Sequence, residues 1–149
     1  MFIGEHAQKV DTKGRVVVPV KFRDELGNHV VVTRGLDGCL FAYSRETFTA
    51  LAEKLSSLPL TDKKVSKFNR FFLAGARDLE ADKLGRVLLP SVLRDHASIE
   101  KDAVWVGVGN RIEIWDLDKW NAQMADYLDS DEAEENLDEL AEYMAELGI

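Results

Sequence analysis

The chain contains the same segment twice, at positions 71 residues apart. DTKGRVVVPVKFRD at residues 11–24 returns as DKLGRVLLPSVLRD at residues 82–95, with seven of the fourteen positions identical. An internal repeat this long is a signal at the level of the fold, and two copies favour a pseudo-symmetric molecule because solenoids need about three units or more. A segment of about 45 residues buries too little surface to fold alone, so we expect the two copies to pack on each other.

Each copy predicts the same elements in the same order. The Asp-x-x-Gly-Arg pattern indicates a tight turn in which Gly14 or Gly85 has a positive φ and the aspartate accepts backbone N–H bonds. A short apolar strand follows and stops at a proline, which suits the start of a helix. A β-hairpin completes each copy. The predicted short helices are Val20–Leu26 and Ser91–Ala97, and the predicted hairpins span residues 30–43 and 103–115.

Further helices are predicted between the copies and after them. Ser44, Thr61 and Asp116 are suited to cap three of these helices. In a helix after Asp131, apolar residues recur at helical spacing and form a seam that faces another surface: Ala133, Leu137, Leu140, Met144 and Leu147. The predicted organisation is a first repeat (residues 5–47), connecting helices (48–75), a second repeat (76–119) and an acidic helical segment (120–149).

The charges are distributed unevenly along the chain. The formal net charge is −8, yet residues 121–149 hold ten acidic groups and no Lys or Arg. Residues 1–70 carry 12 basic and 8 acidic groups, a balance of +4, whereas residues 71–120 carry 7 and 9, a balance of −2. This asymmetry indicates one basic working face around the first copy and one acidic, solvated C-terminal segment.

The sequence disfavours several classes of protein. No apolar run approaches the ~18 residues of a membrane span, and the apolar residues 1–3 give way at once to polar ones, unlike a signal peptide. The single cysteine, Cys39, has no disulfide partner and is expected to be a small buried residue. Neither metal-ligand spacings nor a glycine-rich phosphate loop are present. We therefore expect a cytoplasmic protein that is not an enzyme and uses no cofactor or metal.

The chain resembles the MraZ family of bacterial transcriptional regulators, which belongs to the AbrB-like swapped-hairpin superfamily. The resemblance covers essentially the whole chain and rests on MFIGEHAQKVDTKGRVVVPVKFR (residues 1–23), DKLGRVLLP (82–90) and VGVGNRIEIWDLDKW (106–120). One departure is Ile3, where many relatives carry Arg.

The resemblance implies a fold and an assembly. The implied fold is α+β, an internally duplicated swapped-hairpin β-barrel (an AbrB-like pseudo-dimer) with flanking helices. The implied assembly is a closed homo-oligomeric ring, octamer-like, that binds tandem short repeats of double-stranded promoter DNA upstream of the division and cell-wall gene cluster.

Basic residues surround the first turn, and such a cluster is what phosphate binding needs. Arg15 on a rigid turn can present its planar fork to guanine O6 and N7, which Lys cannot copy. We expect Lys9 and Lys13 to contact phosphates. The predicted DNA-binding residues are Arg15, Lys13, Lys9, Lys21 and Arg23, with Arg34 also in the cluster.

A structural alternative exists for the two turn arginines. Arg15 and Arg86 could form ion pairs with the turn aspartates, including a pair across the two halves. We favour DNA contact for Arg15 and the structural role for Arg86, because Leu84 replaces Lys13 beside the second turn. The predicted structural clasp comprises Asp11, Gly14, Asp82, Gly85 and Arg86.

Two functions of different classes follow. The first is a sequence-specific DNA-binding regulator in the cytoplasm and nucleoid, expected to repress the division and cell-wall gene cluster. The alternative is an antitoxin-like protein-interaction module that acts through the acidic C-terminal helix.

Overall fold

A computed structural model describes residues 1–149 and contains eight strands and six helices. The strands are β1 (Phe2–Lys9), β2 (Arg15–Val17), β3 (His29–Arg34), β4 (Leu40–Tyr43), β5 (Arg77–Glu80), β6 (Arg86–Leu88), β7 (Asp102–Gly109) and β8 (Ile112–Asp116). The helices are α1 (Val20–Leu26), α2 (Arg45–Ser56), α3 (Lys63–Phe72), α4 (Ser91–Ala97), α5 (Leu117–Leu128) and α6 (Ala133–Glu146). No helix is both long enough and apolar enough to span a membrane.

The chain divides into two compact units, residues 1–116 and residues 117–149. The first unit holds both repeats with α2 and α3 between them. The second unit consists of α5 and α6, where the Asn136 side-chain amide donates to the Asp126 carbonyl over 2.7 Å.

The two repeats exchange their first strands. In the six-stranded antiparallel sheet, ordered β1-β7-β8-β4-β3-β5, β1 of the first repeat pairs with β7 of the second. Conversely, β5 of the second repeat pairs with β3 of the first, and β4 joins β8 at the centre. Each repeat therefore completes the hairpin of the other, and the predicted packing of the two copies on each other is confirmed.

A two-stranded ribbon of β2 and β6 joins the repeats a second time. Val16 lies opposite Val87 at the middle of the ribbon. At its ends, the Val18 N–H donates to the Gly85 carbonyl (2.9 Å) and the Leu89 N–H donates to the Gly14 carbonyl (3.0 Å). These equivalent bonds make the ribbon pseudo-two-fold symmetric.

The prediction of a closed β-barrel is wrong. The six-stranded sheet is open, since β1 and β5 are its edges, and only an isolated bridge between Val10 and Val16 links the two sheets. The ribbon strands are three residues long because Pro19 and Pro90, which lack an N–H, immediately precede helices α1 and α4. Strands this short cannot close the sheet. The coarser prediction of a duplicated α+β fold is confirmed.

One core joins the repeats. Equivalent residues of the two copies both belong to it, and Trp105 is its largest fully buried side chain. The paired positions are Val16 and Val87, Val18 and Leu89, Phe22 and Leu93, and Leu26 and Ala97. Cys39 is fully buried as predicted, and burial raises the pKa of its thiol to about 12.

The short helices begin and end as predicted. α1 follows Pro19 and ends at Gly27, whose positive φ of 70° suits glycine. Ser44 caps α2 by accepting the Thr47 N–H over 3.2 Å. For α3 the predicted cap is wrong by one residue, since Asp62 rather than Thr61 accepts the backbone N–H groups of the first turn.

Candidate nucleic-acid interface

The first Asp-x-x-Gly-Arg segment forms a tight turn closed by its own side chains. Oδ1 of Asp11 accepts the backbone N–H groups of Lys13 (3.0 Å) and Arg15 (2.8 Å), and the Asp11 N–H donates to the Arg15 carbonyl (3.0 Å). Gly14 has φ = 89°, a conformation that residues with a Cβ atom disfavour. The turn is therefore fixed before any partner arrives.

The second segment repeats this geometry. Oδ1 of Asp82 accepts the backbone N–H groups of Leu84 and Arg86, each over 2.9 Å, and Gly85 has φ = 75°. The predicted acceptance of backbone N–H groups by the turn aspartates is confirmed in both copies.

Each turn arginine pairs with the aspartate of its own turn. Nε of Arg15 donates to Oδ2 of Asp11 over 2.6 Å, and Nε of Arg86 donates to Oδ2 of Asp82 over 2.8 Å. The ion pair is thus local and does not cross the two halves. Only Nε is engaged, so the terminal guanidinium nitrogens of Arg15 have no partner within the chain. The structure holds the fork in place and leaves its outer edge free.

The turn carboxylates stay ionised because backbone N–H groups of the turns donate hydrogen bonds to them. The backbone N–H of Arg15 lowers the pKa of Asp11, and the backbone N–H of Arg86 lowers the pKa of Asp82. A lowered carboxyl pKa adds stability that is complete above the ordinary value of 3.8 and is lost as pH falls through the lowered pKa. The turns are therefore fully charged at neutral pH.

Arg23 crosses from the first repeat to the second turn. Its Nε donates to the Val18 carbonyl over 3.0 Å. A Cβ placed on Gly85 would overlap the Arg23 guanidinium, so this side chain lies directly over the second turn. Arg23 therefore joins the two halves in the free chain, and its predicted contact with DNA stays a prediction.

Arg94 makes the equivalent crossing to the first turn. Its Nε donates to the Leu89 carbonyl over 3.0 Å, and a Cβ on Gly14 would lie 2.7 Å from the guanidinium carbon. Arg94 was not among the predicted site residues. Its identity with Arg23 in the repeat was the available signal, because a duplicated arginine at a fixed distance from a duplicated glycine indicates a shared role.

We expect Gly85→Ala to destabilise the first unit by about 1–3 kcal/mol, because a side chain there has a disfavoured φ and displaces Arg23. Gly109→Ala is the matched control, since Gly109 also has a positive φ of 98° but open space around it, and about 1 kcal/mol is expected. Urea unfolding measures both. Equal midpoints for the two variants would contradict the contact between Arg23 and Gly85.

The other predicted DNA-binding cations occupy different environments. Lys13 and Lys21 are exposed and unpaired. Lys9 is also exposed, and its Nζ forms a surface ion pair with Oδ1 of Asp102 at 2.9 Å. Arg34 donates to the Phe71 carbonyl (2.9 Å) and lies over the Phe71 ring, so it packs inside the unit. The structure thus leaves Arg15 and Lys13 available at the first turn, whereas Lys21 lies on α1, the helix whose Arg23 covers the second turn.

The remainder of the chain shows no metal-binding group. No cluster of three or more His, Cys, Asp or Glu side chains is placed to hold a metal ion.

Comparison with known proteins identifies the family. The model described as "MraZ protein, putative antitoxin-like" matches residues 1–71 and matches again at residues 72–142. The chain belongs to the MraZ family. The two matches divide the chain near the boundary between its two copies, and the resemblance seen in the sequence is confirmed.

Relatives support the MraZ assignment over the full length. Proteins named "Transcriptional regulator MraZ" from Acetivibrio thermocellus and Ligilactobacillus salivarius are 50% and 49% identical over 149 residues, covering 100% of each chain. One from Halothermothrix orenii is 48% identical over the same span. The MraZ family consists of transcriptional regulators, so the prediction that this chain is not an enzyme is confirmed.

Proposed function

We propose that this MraZ protein regulates transcription by binding double-stranded DNA specifically, with the first turn as the reading element. The observation that carries this is the state of Arg15, whose Nε is held by Asp11 while its terminal nitrogens are unpaired. A guanidinium fixed in this way can donate both terminal hydrogen bonds to guanine O6 and N7 at small entropic cost. The exposed Lys13 supplies positive charge in the same turn, and the exposed Lys21 on α1 is a further proposed contact to the DNA.

The second turn has a supporting role in this proposal. It has the same Asp–Arg geometry, but Leu84 stands where the first turn has Lys13. The exposed Lys83 stands where the first turn has Thr12, so each turn carries one lysine, but at a different position relative to the turn arginine. The clasp of Asp11, Gly14, Asp82, Gly85 and Arg86 keeps both turns in register, with Arg23 and Arg94 joining the two halves.

The proposed operator and assembly follow the family resemblance. The protein binds tandem short promoter repeats upstream of the division and cell-wall gene cluster, acts as a repressor there, and works in the cytoplasm at the nucleoid. It assembles into a closed, octamer-like ring of identical chains. Within each chain, residues 5–47 and 76–119 are the two AbrB-like repeats, residues 48–75 connect them, and residues 120–149 form the acidic segment.

A footprint and a shift assay test the proposal. Purified full-length protein is added to the DNA upstream of its own gene and to a shuffled sequence of equal length, over a salt series. We expect a discrete protected region and a preference of ~10³-fold or more for the natural DNA. Equal affinity for both DNAs at every salt concentration would reject specific recognition.

Lys13 is expected to contact a phosphate, because its flexible ammonium gives charge without base geometry. Lys13→Ala should weaken binding to operator and shuffled DNA by the same factor and reduce the slope of log K against log salt by roughly one. Lys54→Ala, which removes one exposed lysine on α2, serves as the control and should leave the slope unchanged. A loss confined to the operator, with the slope unaltered, would show that Lys13 reads a base.

A second candidate function rests on α6. Its exposed Leu137, Leu140, Tyr143 and Leu147 leave an apolar face uncovered in the protomer, which suits an antitoxin-like module that binds another protein. A protein of this kind would not need Arg15. Loss of promoter regulation in cells carrying Arg15→Ala therefore separates the two candidates in favour of DNA binding.

A further inference from the structure

Helix α6 carries one continuous acidic stripe. Its members follow at spacings of four, three and four residues, which places them on one side of the helix over roughly 16 Å: Glu135, Glu139, Glu142 and Glu146. Residues 121–149 contain no Lys or Arg, so α6 itself supplies no basic partner for this stripe. Next to it lie Leu140, Tyr143 and Leu147, which are 43%, 54% and 56% exposed.

Helix α3 carries a basic stripe with the same spacing. Lys63, Lys67 and Arg70 are four and three residues apart, all are exposed, and none forms an ion pair within the first unit. No acidic residue lies between Asp62 and Asp78. Phe68, on the same helix, is 37% exposed although its ring stacks on Phe72 with centroids 5.1 Å apart. The surface therefore combines cations with apolar area.

We propose that α6 of one copy docks on α3 of a neighbouring copy. The equal four-and-three spacings allow the carboxylates of α6 to lie along the cations of α3 when the helices run side by side. The leucines and tyrosine of α6 then cover Phe68 and the nearby Leu58 and Leu60, which are exposed in the protomer. This inference rests on the homo-oligomer of the proposed function and names the surfaces that build it.

The charges favour a second copy over other occupants. An acidic helix cannot bind DNA, and it needs a partner with both positive charge and apolar surface. Helix α3 supplies such a surface. Because the two docking surfaces differ, the contact is heterologous, and repeating it around an axis gives a ring when the rotation closes.

Reversal of the charges on each stripe provides the test. The two double variants are Lys63→Glu/Lys67→Glu and Glu135→Lys/Glu139→Lys, each made in the full chain. We expect either one to weaken self-association at least tenfold, so that light scattering gives a mass near the 16.8 kDa protomer. The charge-matched controls are Lys54→Glu/Lys101→Glu and Asp131→Lys/Asp138→Lys, which should leave the oligomer intact.

Restoration of the contact separates docking between copies from docking within one. Mixing the two double variants pairs an acidic α6 with a basic α3, and a basic α6 with an acidic α3, so the mixture should regain the wild-type mass. A chain carrying all four substitutions should regain it as well. Both rescues also exclude misfolding as the cause of dissociation.

Several outcomes would overturn the inference. If both charge-reversal variants keep the wild-type oligomeric mass, these surfaces are rejected while the proposed ring is not. A monomeric wild type rejects the ring and the docking together. An α3 reversal that keeps the mass but weakens DNA binding assigns α3 to DNA instead. Failure of both rescues rejects pairing between the stripes. DNA reading by Arg15, assayed on a single site, is independent of all four results.

Discussion

Arg15→Ala is expected to abolish specific DNA binding while the protein remains folded. The structure places one guanidinium on a turn whose shape is fixed by Asp11 through three hydrogen bonds to the turn itself. A bidentate arginine–guanine contact contributes about 1–3 kcal/mol to base discrimination, and each further protomer that engages a site multiplies the loss of operator affinity. The measurement is operator affinity by fluorescence anisotropy, with circular dichroism to confirm the fold.

Arg86→Ala is the matched control for this prediction. Arg86 has the same ion pair and the same place in the second turn, so its loss removes an equivalent structural contact. We expect a similar change in unfolding free energy for both variants, but a much smaller change in operator affinity for Arg86→Ala. Wild-type affinity in a folded Arg15→Ala protein, or equal losses in the two variants, would refute the assignment of the first turn as the reader.

Local chemistry made much of the fold predictable. The turn carboxylates, the starts of α1 and α4 after proline, the hairpins and the Ser44 cap all depend on residues a few positions apart. The error at α3 has the same origin. Thr61 and Asp62 are adjacent residues that can both cap a helix, and the pattern alone does not decide between them.

Contacts between residues far apart in the sequence could not be predicted from the sequence pattern. β1 pairs with β7 and β5 pairs with β3 over distances that leave no periodic signal, so only the family resemblance implied an exchange of strands. Arg23 and Arg94 each lie over a glycine of the other copy, so their role is visible only in the packed arrangement of the two halves. The ion pair between Lys9 and Asp102, 93 positions later, likewise had no signal in the sequence, while the predicted phosphate contact of Lys9 stays a prediction.

The duplicated clasp explains how one copy can specialise. Because each turn is held by its own aspartate and covered by an arginine from the other repeat, the second turn supports the first even without reading DNA. The lysine of the second turn, Lys83, lies one position earlier than Lys13, so the second copy presents its charge differently while it keeps its structural role. A duplicated chain can tolerate this asymmetry, whereas a dimer of identical single-repeat chains cannot.

The geometry of the two turns leads to a prediction about tandem sites. Gly14 and Gly85 lie at opposite ends of the ribbon, four residues apart along β2, which is roughly 13 Å. Major-groove sites on the same side of B-DNA recur every ~34 Å, which is one helical turn. One chain therefore cannot place its two turns on two repeats separated by a helical turn. Tandem repeats must therefore be read by different protomers.

We accordingly expect DNA with two or more properly spaced repeats to bind at least about 100-fold more tightly than DNA with one, because linked protomers raise the effective concentration at each later site. Inserting half a helical turn between repeats should remove most of this gain, since neighbouring reading turns would face opposite sides of the duplex. Inserting a full turn provides the control for added length. The experiment is a titration of labelled duplexes with one, two or three repeats, paired with light scattering on the same samples. A monomer that binds one repeat as tightly as three would refute the ring. An oligomer whose affinity does not change with the half-turn insertion would show that its protomers reach their sites independently, through a flexible rather than a closed arrangement.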